Sequence, residues 1–503
     1  MKAMGIKKVS RFPFPTPPDA QGIRAATALL TNLGAIDTGG AGVETEDGAA
    51  TAIGKALALL PVGARYAKML LLAMQGCVLE HSVALVAMLT EGDCFVRPNA
   101  STVVVEGGNA GEGEGGGEEH GGEGVVDGTD SVEMRRRRAQ WVHPDSDALA
   151  RLKAAGAYGH ATAGGTAVGG ADFCKENLLH SPTMDRALRL RQQLSRLLTL
   201  RFGSEPGWVE FGVDGNLRPP TRKQSTLLKQ VLLSGLLDCV AKRAPAGTVT
   251  EGNRLRRSCA YLSCNEAVKE PLYIKSTSTL FSRDPEELPQ WVVYQDIVRG
   301  EREGSPAYMV CVTAIDPAWI TPLAEGSPLL RLSGPLPSPP PTYDPVRGEV
   351  MCRVTPRYGV HGWPLAPYPV GLAQATAVAT GTNAILGAGT REGSSGVPDT
   401  VYRWFGRLLL EGKVEGTLVE LRVGGFLNDP PALLTLERPA GKVSALLSGL
   451  RQARICGLPG LREKWRHDPS FLKDAVRLWV RSEGRPVFEK AWRVAIATAQ
   501  ELH

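Results

Sequence analysis

The chain has 503 residues, of which 43% are hydrophobic and 22% are charged, so it is long enough for about three globular domains. No apolar run approaches the ~18 residues of a membrane helix, and the N-terminus lacks the apolar segment of a signal peptide. The net charge of +5 is unevenly distributed, because residues 101–134 hold nine acidic residues and no lysine or arginine, which leaves +14 on the rest. A basic body of this kind favours an anionic partner, with nucleic acid as the first candidate and a solvated arginine-rich surface as the alternative.

A proline-rich stretch, FPFPTPP at 12–18, precedes the first predicted helix. We predict that helix over residues 16–34, with Thr16 as its N-cap, Pro17 in its first turn and Asp19 near its positive end. Apolar periodicity predicts three further helices at 51–60, 64–74 and 79–90. A helix–turn–helix with a small wing would fit this cluster of helices.

Helical spacing also marks the middle of the chain. One predicted helix there, at 181–201, carries five arginines, among them Arg186 and Arg189. They form either a solvated face or a direct contact with an RNA backbone. The four segments with this spacing are 145–155, 171–179, 181–201 and 221–243.

Strand-like segments follow, with β-branched and aromatic residues broken by Pro and Gly, and they predict a small barrel or sheet. Helices return afterwards, and four tryptophans there are expected in the core rather than stacked on bases: Trp404, Trp465, Trp479 and Trp492. We therefore predict a multidomain α+β protein. Its predicted strands are 272–281, 291–298, 307–315 and 349–358, and its last predicted helices are 402–410, 432–449, 460–465 and 471–480.

Stretches rich in Gly, Ala, Ser or Thr, with few large apolar residues, predict loops or disorder at 99–138, 156–170 and 373–398. A proline-rich string at 333–345 predicts an extended connector. The nine cysteines are scattered without a CxxC pair, which predicts reduced, mostly buried thiols rather than a metal site.

Candidate catalytic motifs fail on their context. GEGEGG at 111–116 matches GxGxxG, but its carboxylates would repel a pyrophosphate and no strand precedes it. GAATAIGKA at 48–56 has the wrong glycine spacing for a phosphate-binding loop. His143, Asp145 and Asp147 are better explained as the start of a helix than as a metal site. No catalytic residue and no metal ligand is therefore predicted.

Several longer segments together carry a family resemblance. MKAMGIKKVSRFPFPTPP resembles the segment that links the second motor domain to the winged helix in DEAH-box RNA helicases. TAIGKALALLPVGARYAKMLLLA and HPDSDALARLKAAGAY resemble the winged helix and ratchet domain of that family, and YIKSTSTLF, LPQWVVYQDIV and WITPLAE resemble its OB fold. PTYDPVRGEVMCRV, GWPLAPYPV and the helical segment after residue 401 are most similar to the nucleolar branch, which acts in the small-subunit processome.

The resemblance implies a domain order. It comprises the end of the second RecA-like motor domain with a linker at 1–10, a winged helix at 11–65, a ratchet domain at 66–245 with a disordered insert at 99–140, an OB-fold domain at 246–370, a low-complexity linker at 371–400 and a helical C-terminal extension at 401–503. Neither GxxxxGK[ST] nor DEAH occurs in the sequence. We therefore expect Met1 to be internal to a longer protein or to start a truncated gene model. A motor-less RNA-binding or scaffold protein and a spliceosomal-type fragment remain alternatives.

The resemblance also implies site residues and partners. Lys275, Thr277 and Ser278 match the part of the OB fold that approaches RNA, and a lysine and hydroxyls suit phosphate and ribose oxygens. Tyr294 matches a family tyrosine that either stacks on a base or lies in the core. Arg299 and Arg302 stand where the family usually has a Thr-Thr-Lys element, so the hydroxyl contacts are in doubt there.

The expected partners are pre-rRNA, small nucleolar RNA and processome proteins, in the nucleus and nucleolus, with no membrane. No cofactor is expected in this chain, because ATP and Mg²⁺ belong to the motor domains. The implied function is RNA binding by part of a helicase that remodels small nucleolar RNA–pre-rRNA duplexes.

Overall fold

The computed structural model divides into two compact units, the first up to Leu329 and the second from Leu330 onward. Both helices and sheets are present, which confirms the predicted α+β class. In the part of the chain that is described, no helix is both long and apolar enough to cross a membrane. The described residues are 1–6, 8–37, 48–76, 78–96, 137, 139–163, 167–204, 208, 217–249, 257–300, 305–379, 397–428, 430, 432–435 and 441–501.

The first helix begins later than its sequence predicted. Helix α1 spans Ala20–Asn32, and its N-cap is Asp19, whose carboxylate accepts a hydrogen bond from the Gly22 backbone N–H at 3.3 Å. This corrects the predicted cap at Thr16, because the intervening prolines favour an extended backbone before the helix. Strands β1 (Ile36–Asp37) and β2 (Ala49–Ala50) pair antiparallel, and helix α2 spans Ala52–Leu57 after the N-cap Thr51.

A helical domain follows. Helix α4 is buried on nearly all sides, because its residues 79 and 81–89 all lie in the interior, and α7 packs along it. The predicted loop at 156–170 is instead helical on both sides of residues 164–166, because its alanines favour helix and Tyr158 packs into the core. The six helices of the domain are α3 (Ala64–Gln75), α4 (Leu79–Glu91), α5 (Asp147–Thr162), α6 (Ala167–Glu176), α7 (Ser181–Phe202) and α8 (Arg222–Gly235).

A seven-stranded sheet completes the first unit. Its order is β7-β8-β5-β4-β3-β6-β9, antiparallel except for the pair of β5 and β8. Residues 240–243 were predicted as the end of a helix, but they form the strand β3, because Ala241 pairs with Ser263 on one side and with Val292 on the other. A short helix α9 follows at Ile320–Leu323. The strands are β3 (Val240–Arg243), β4 (Tyr261–Ser263), β5 (Leu272–Ile274), β6 (Trp291–Val293), β7 (Asp296–Arg299), β8 (Ala307–Val310) and β9 (Thr313–Ala314).

The second unit contains two three-stranded sheets and a helical region. One sheet has the order β10-β13-β14 and the other β11-β12-β15. Their strands are β10 (Leu330–Arg331), β11 (Thr342–Asp344), β12 (Glu349–Val354), β13 (Arg357–Tyr358), β14 (Trp363–Pro364) and β15 (Tyr368–Gly371). The helices are α10 (Leu372–Ala379), α11 (Asp399–Leu410), α12 (Val419–Val423), α13 (Ala432–Thr435), α14 (Gly441–Gln452), α15 (Leu458–His467), α16 (Lys473–Arg477) and α17 (Arg485–Glu501).

The sheets and helices of the second unit share one hydrophobic core. Cys352 and Val354 from β12 pack in the same cluster as Phe405 and Trp465 from the helices. The predicted boundaries at 370 and 400 therefore differ from the division seen at 329/330, because the buried face of β12 is covered by helices that follow it in the chain. Three of the four tryptophans expected in the core are buried there: Trp465, Trp479 and Trp492.

Candidate nucleic-acid interface

The carboxylate of Asp147, at the start of α5, fixes the loop that follows β5. It accepts hydrogen bonds from the Ser278 hydroxyl at 2.8 Å and from the Thr279 backbone N–H at 2.7 Å. The Thr279 hydroxyl at 2.9 Å and the Val312 backbone N–H at 2.9 Å also donate to it. The N-cap Ser146 adds a bond of 2.7 Å between its hydroxyl and that of Thr313. The predicted helix start is thus observed, and the carboxylate of Asp147 binds two loops of the sheet.

This arrangement leaves Lys275 and Thr277 on the turn itself. The Ser278 N–H donates to the Lys275 carbonyl at 2.9 Å, which closes a turn directly after β5. Lys275 is half-buried and Thr277 is exposed. An ammonium and a hydroxyl on one tight turn suit a phosphate and a ribose oxygen. Ser278 is different, because its hydroxyl hydrogen is directed to Asp147 rather than to solvent.

Tyr294 lies in the core of the sheet. Its side chain is only 2% exposed, and its hydroxyl is 2.9 Å from the Ser263 hydroxyl. Burial raises the pKa of the Tyr294 hydroxyl well above its usual range. This corrects the assignment of Tyr294 as an RNA-binding residue, because a ring enclosed between strands offers no face to a base. Of the two alternatives left open by the sequence, Tyr294 is the core residue.

The predicted arginines lie in two separate places. Arg299, at the end of β7, forms an exposed ion pair with Glu270, with 2.6 Å between Nη2 and Oε1. Arg186 and Arg189 lie on α7, which packs against α4, α5 and α6. The Nε of Arg186 donates to Glu91 at 2.7 Å, whereas Arg189 is exposed. Arg302, for its part, lies outside the described residues. The predicted RNA-binding residues of α7 and those of the sheet therefore lie on different elements. Of the two groups, the one on the sheet includes the Lys275 turn, which is fixed against α5.

A groove beside the Lys275 turn was not predicted from the sequence. Phe281 lines it with 41% of its surface exposed, together with Pro144, Asp145 and Ser282. Ser282 donates its hydroxyl hydrogen to Glu287 at 2.6 Å, which orders the loop. An exposed phenylalanine that follows a turn carrying an ammonium and a hydroxyl can stack on a base. The sequence signal was present, because Phe281 directly follows the hydroxyl-rich run KSTSTL.

A second set of side chains fixes the sheet against the helices. The Gln295 side-chain amide donates to the Tyr66 hydroxyl and to the Leu89 carbonyl, both at 2.8 Å. Its oxygen accepts from the buried Arg151 at 3.4 Å. Tyr66 belongs to the GARYAKML segment, so part of that segment joins the helical domain to the sheet. Within the described residues, no cluster of three or more potential metal ligands is found.

Two family models match this part of the chain. The helicase-associated (HA2), ratchet-like domain matches residues 63–150, and the oligonucleotide/oligosaccharide-binding (OB) fold matches residues 228–326. The first helices of the six-helix domain thus match a helicase-associated domain, and the seven-stranded sheet matches an OB fold, as the sequence predicted.

Curated relatives extend the match to the second unit. The probable ATP-dependent RNA helicase kurz of Drosophila melanogaster is 28% identical over 94% of this chain, and the probable ATP-dependent RNA helicase DHX37 of Homo sapiens is 29% identical over 98%. The pre-mRNA-splicing factor ATP-dependent RNA helicase prp22 of Schizosaccharomyces pombe is 25% identical over 64% of the chain. The chain spans 35% of kurz and 38% of DHX37.

Together, the two domain matches and these relatives make the chain similar to the C-terminal region of DEAH-box ATP-dependent RNA helicases over most of its length.

Proposed function

We propose that this chain is the RNA-binding C-terminal part of an ATP-dependent RNA helicase that acts in small-subunit rRNA processing and ribosome biogenesis. In this role it would help to remodel duplexes between small nucleolar RNA and pre-rRNA. Its partners would be these RNAs and proteins of the pre-ribosomal processome, and its location the nucleolus. ATP and Mg²⁺ would be bound by motor domains rather than by the residues of this chain.

The observation that carries this proposal is the reach of the similarity. The matches to kurz and DHX37 cover 94% and 98% of the chain and so include the second unit, whereas the match to the splicing factor prp22 covers 64%. A resemblance to the nucleolar branch rests on segments of the second unit, such as GWPLAPYPV. The second unit therefore favours the ribosomal role over the spliceosomal alternative.

Geometry supports RNA binding at the Lys275 turn. A half-buried lysine, an exposed hydroxyl and the exposed Phe281 ring follow one another within seven residues, on a loop held by Asp147. A held loop loses little conformational freedom when RNA binds, so more of the contact energy is kept as affinity. The arrangement suits the backbone of a single strand together with one stacked base.

Binding by the full chain tests this site. The affinity for a fluorescent single-stranded RNA of about 12 nucleotides would be measured by anisotropy at several salt concentrations. We expect Lys275→Gln to lower the salt slope by about 0.7, the value for one lost phosphate contact on a single strand. Phe281→Leu should weaken binding by ~1–3 kcal/mol, the usual value of one stacked base. Tyr294→Phe is the matched control and should leave affinity unchanged; equal losses in all three variants would refute the assignment of the site.

Crosslinking in cells tests the biological role. The tagged protein would be ultraviolet-crosslinked in the source cells, and the bound RNA sequenced. Small-subunit pre-rRNA and small nucleolar RNA are expected, together with a nucleolar signal in fluorescence microscopy. Enrichment of spliceosomal small nuclear RNA would instead support the spliceosomal alternative and refute the proposed role.

A motor-less RNA-binding or scaffold protein is the second candidate. A blot of source cells with an antibody against residues 441–501 distinguishes the helicase from the motor-less protein by mass. A band far above the mass of this chain supports a helicase with a motor. A single band at that mass supports the scaffold.

A further inference from the structure

The sheet β10-β13-β14 of the second unit presents arginines on its outer face. Its antiparallel register places Arg331 opposite Arg357 and Leu330 opposite Tyr358. Residues directly opposite each other project to the same side of a sheet. Tyr358 is fully buried, whereas Arg331 and Arg357 are exposed. The two arginines therefore stand side by side on the solvent face.

A third arginine lies on the same strand run. The Leu336 N–H donates to the Arg353 carbonyl at 2.8 Å, and the Thr355 N–H donates to the Ser333 hydroxyl at 2.9 Å, so the segments after β10 and before β13 stay side by side. Arg353 on β12 and Arg357 on β13 are both exposed, and residues 354, 356 and 358 are buried. The two arginines are at most about 13 Å apart, at ~3.3 Å per residue. We call Arg331, Arg353 and Arg357 the arginine face.

The arginine face differs in its ion pairing from other arginines of the same unit. In the described part of the chain, no ion pair is found for any of its three members. Other arginines of the same unit do have one, since Arg403 pairs with Asp399 and Arg407 with Glu411, each at 2.7 Å. Like charges placed directly opposite in a sheet destabilise it. A pair such as Arg331 and Arg357 is therefore suited to an anion from outside.

A flat ring stands on the hairpin that joins β13 to β14. The His361 ring stacks on Trp363, with centroids 5.2 Å apart and planes inclined by 26°. Trp363 is buried and His361 is exposed. Trp363 pairs with the buried Tyr358, so its indole supports the exposed His361 ring at the end of the hairpin, next to the edge of the arginine face. Histidine is one of the side chains on which unpaired RNA bases stack.

We propose that the arginine face and His361 form an RNA-binding surface on the second unit, which takes the backbone of a single strand and stacks one of its bases. Arginine forks match phosphate geometry. The Ser333 hydroxyl donates to the Gly334 carbonyl at 2.9 Å and so orders the segment beside Arg331 rather than contacting RNA. An acidic peptide would satisfy the charges but would not use the exposed His361 ring. The inference rests on the proposed RNA-binding function and adds a surface outside the OB fold.

The test compares two triple variants of the full chain. Arg331→Gln, Arg353→Gln and Arg357→Gln are combined in the first. The second combines Arg422→Gln, Arg477→Gln and Arg485→Gln, which are exposed arginines of the same unit and give the same change in net charge. Affinity for a single-stranded RNA of about 12 nucleotides is measured against salt. We expect the first triple variant to lower the slope by about 2, at ~0.7 per phosphate contact, and the second to leave it unchanged.

Two further measurements make the outcomes decisive. His361→Ala should weaken binding without changing the salt slope, because it removes stacking and no charge. The melting temperature of the first triple variant should stay level or rise, because a like-charge pair is removed, and a fall would indicate a structural role and overturn the proposal. Equal slopes for both triple variants would overturn it too, as would loss of polyglutamate binding with RNA binding intact.

The inference and the proposed function can fail separately. If RNA binding is lost in Lys275→Gln and Phe281→Leu but kept in the first triple variant, the arginine face is refuted while the RNA-binding function stands. If the unaltered chain binds no single-stranded RNA at all, both are refuted.

Discussion

Arg65 and Asp238 form a two-pronged ion pair between the first helix of the ratchet domain and the turn that leads into the OB sheet. The Nη2 of Arg65 donates to Oδ2 of Asp238 at 2.7 Å, Nη1 donates to Oδ1, and Nη1 also reaches the Gly235 carbonyl at 3.4 Å. Burial alone would lower the pKa of Arg65, but the hydrogen bond and charge of Asp238 outweigh it and raise the pKa above the usual range. The two domains are thus joined by a charged pair whose members are 173 residues apart in the chain.

Removing one partner of this pair should destabilise the first unit. Arg65→Ala leaves the Asp238 carboxylate, 8% exposed, without a counter-charge. The expected loss in free energy of unfolding is about 3 kcal/mol, as for other broken buried pairs. Urea denaturation of the full chain measures it. Arg299→Ala, which breaks the exposed pair with Glu270, is the control and should cost less than ~1 kcal/mol. Similar losses in both would contradict a buried role for Arg65.

Asp147 and Asp145 offer a matched comparison two residues apart. Asp147→Ala removes the acceptor of four hydrogen bonds and should cost roughly 3 kcal/mol, the value of bonds to a charged group. Asp145 is 50% exposed on its side chain and pairs with Lys229 at 3.1 Å, so Asp145→Ala should cost below ~1 kcal/mol. The melting temperatures of the two variants show which substitution costs more stability. Proteolysis near residue 280 should accelerate only in the Asp147 variant, and protection in both would speak against the fixed loop.

Glu411 should make the second unit sensitive to acid. Burial alone would raise its pKa, but hydrogen bonds from Lys413 and Arg407, both at 2.7 Å, outweigh it and hold the pKa below the usual 4.5. A lowered folded-state pKa means that its stabilisation is complete above pH 4.5 and is lost as the pH falls through the folded-state value. Glu411→Gln should therefore cost about 1.5 kcal/mol near neutral pH and less at about pH 3, below the usual pKa of the carboxyl.

Denaturation curves at the two pH values provide the measurement for Glu411. Glu463→Gln, an exposed position on α15, is the control and should show no such difference. If the cost of Glu411→Gln is the same in acid as at neutral pH, the ion pairs do not contribute as described.

Thiol labelling should separate the cysteines by burial. Burial raises the pKa of Cys94 to about 12 and that of Cys311 to about 11, so neither should form a thiolate at about pH 8. Cys259 and Cys456 are only half-buried and should react before the buried cysteines with iodoacetamide. Mass spectrometry of timed samples gives the order. In urea, the differences in labelling rate between the cysteines should disappear. Fast labelling of Cys94 in the folded chain would contradict the position of Cys94 in the core.

Local patterns in the sequence predicted much of the helical structure. The helices α3, α4 and α7 begin and end within one or two residues of their predicted bounds, because their apolar period is strong. Strand β3 was missed, because its residues continue the leucine-rich run of α8 and only pairing with Ser263 and Val292 makes them a strand. Propensity carries no information about such partners.

The site was less predictable for the same reason. Lys275 and Thr277 could be singled out by resemblance, but the fate of Ser278 depends on Asp147, which is 131 residues away in the chain. Tyr294 sits in a segment where both stacking and core packing were open, and only the sheet decides between them. Likewise, the register that pairs Arg331 with Arg357 follows from the tertiary fold.

The four hydrogen bonds on Asp147 have a mechanical consequence. A carboxylate at the first turn of α5 holds both the loop after β5 and the segment between β8 and β9, so α5 and these two parts of the OB sheet are expected to move together. A tilt of α5 would then also move Lys275 and Phe281. The grip on a strand of RNA would then change with the angle of one helix, without any hinge in the loop itself.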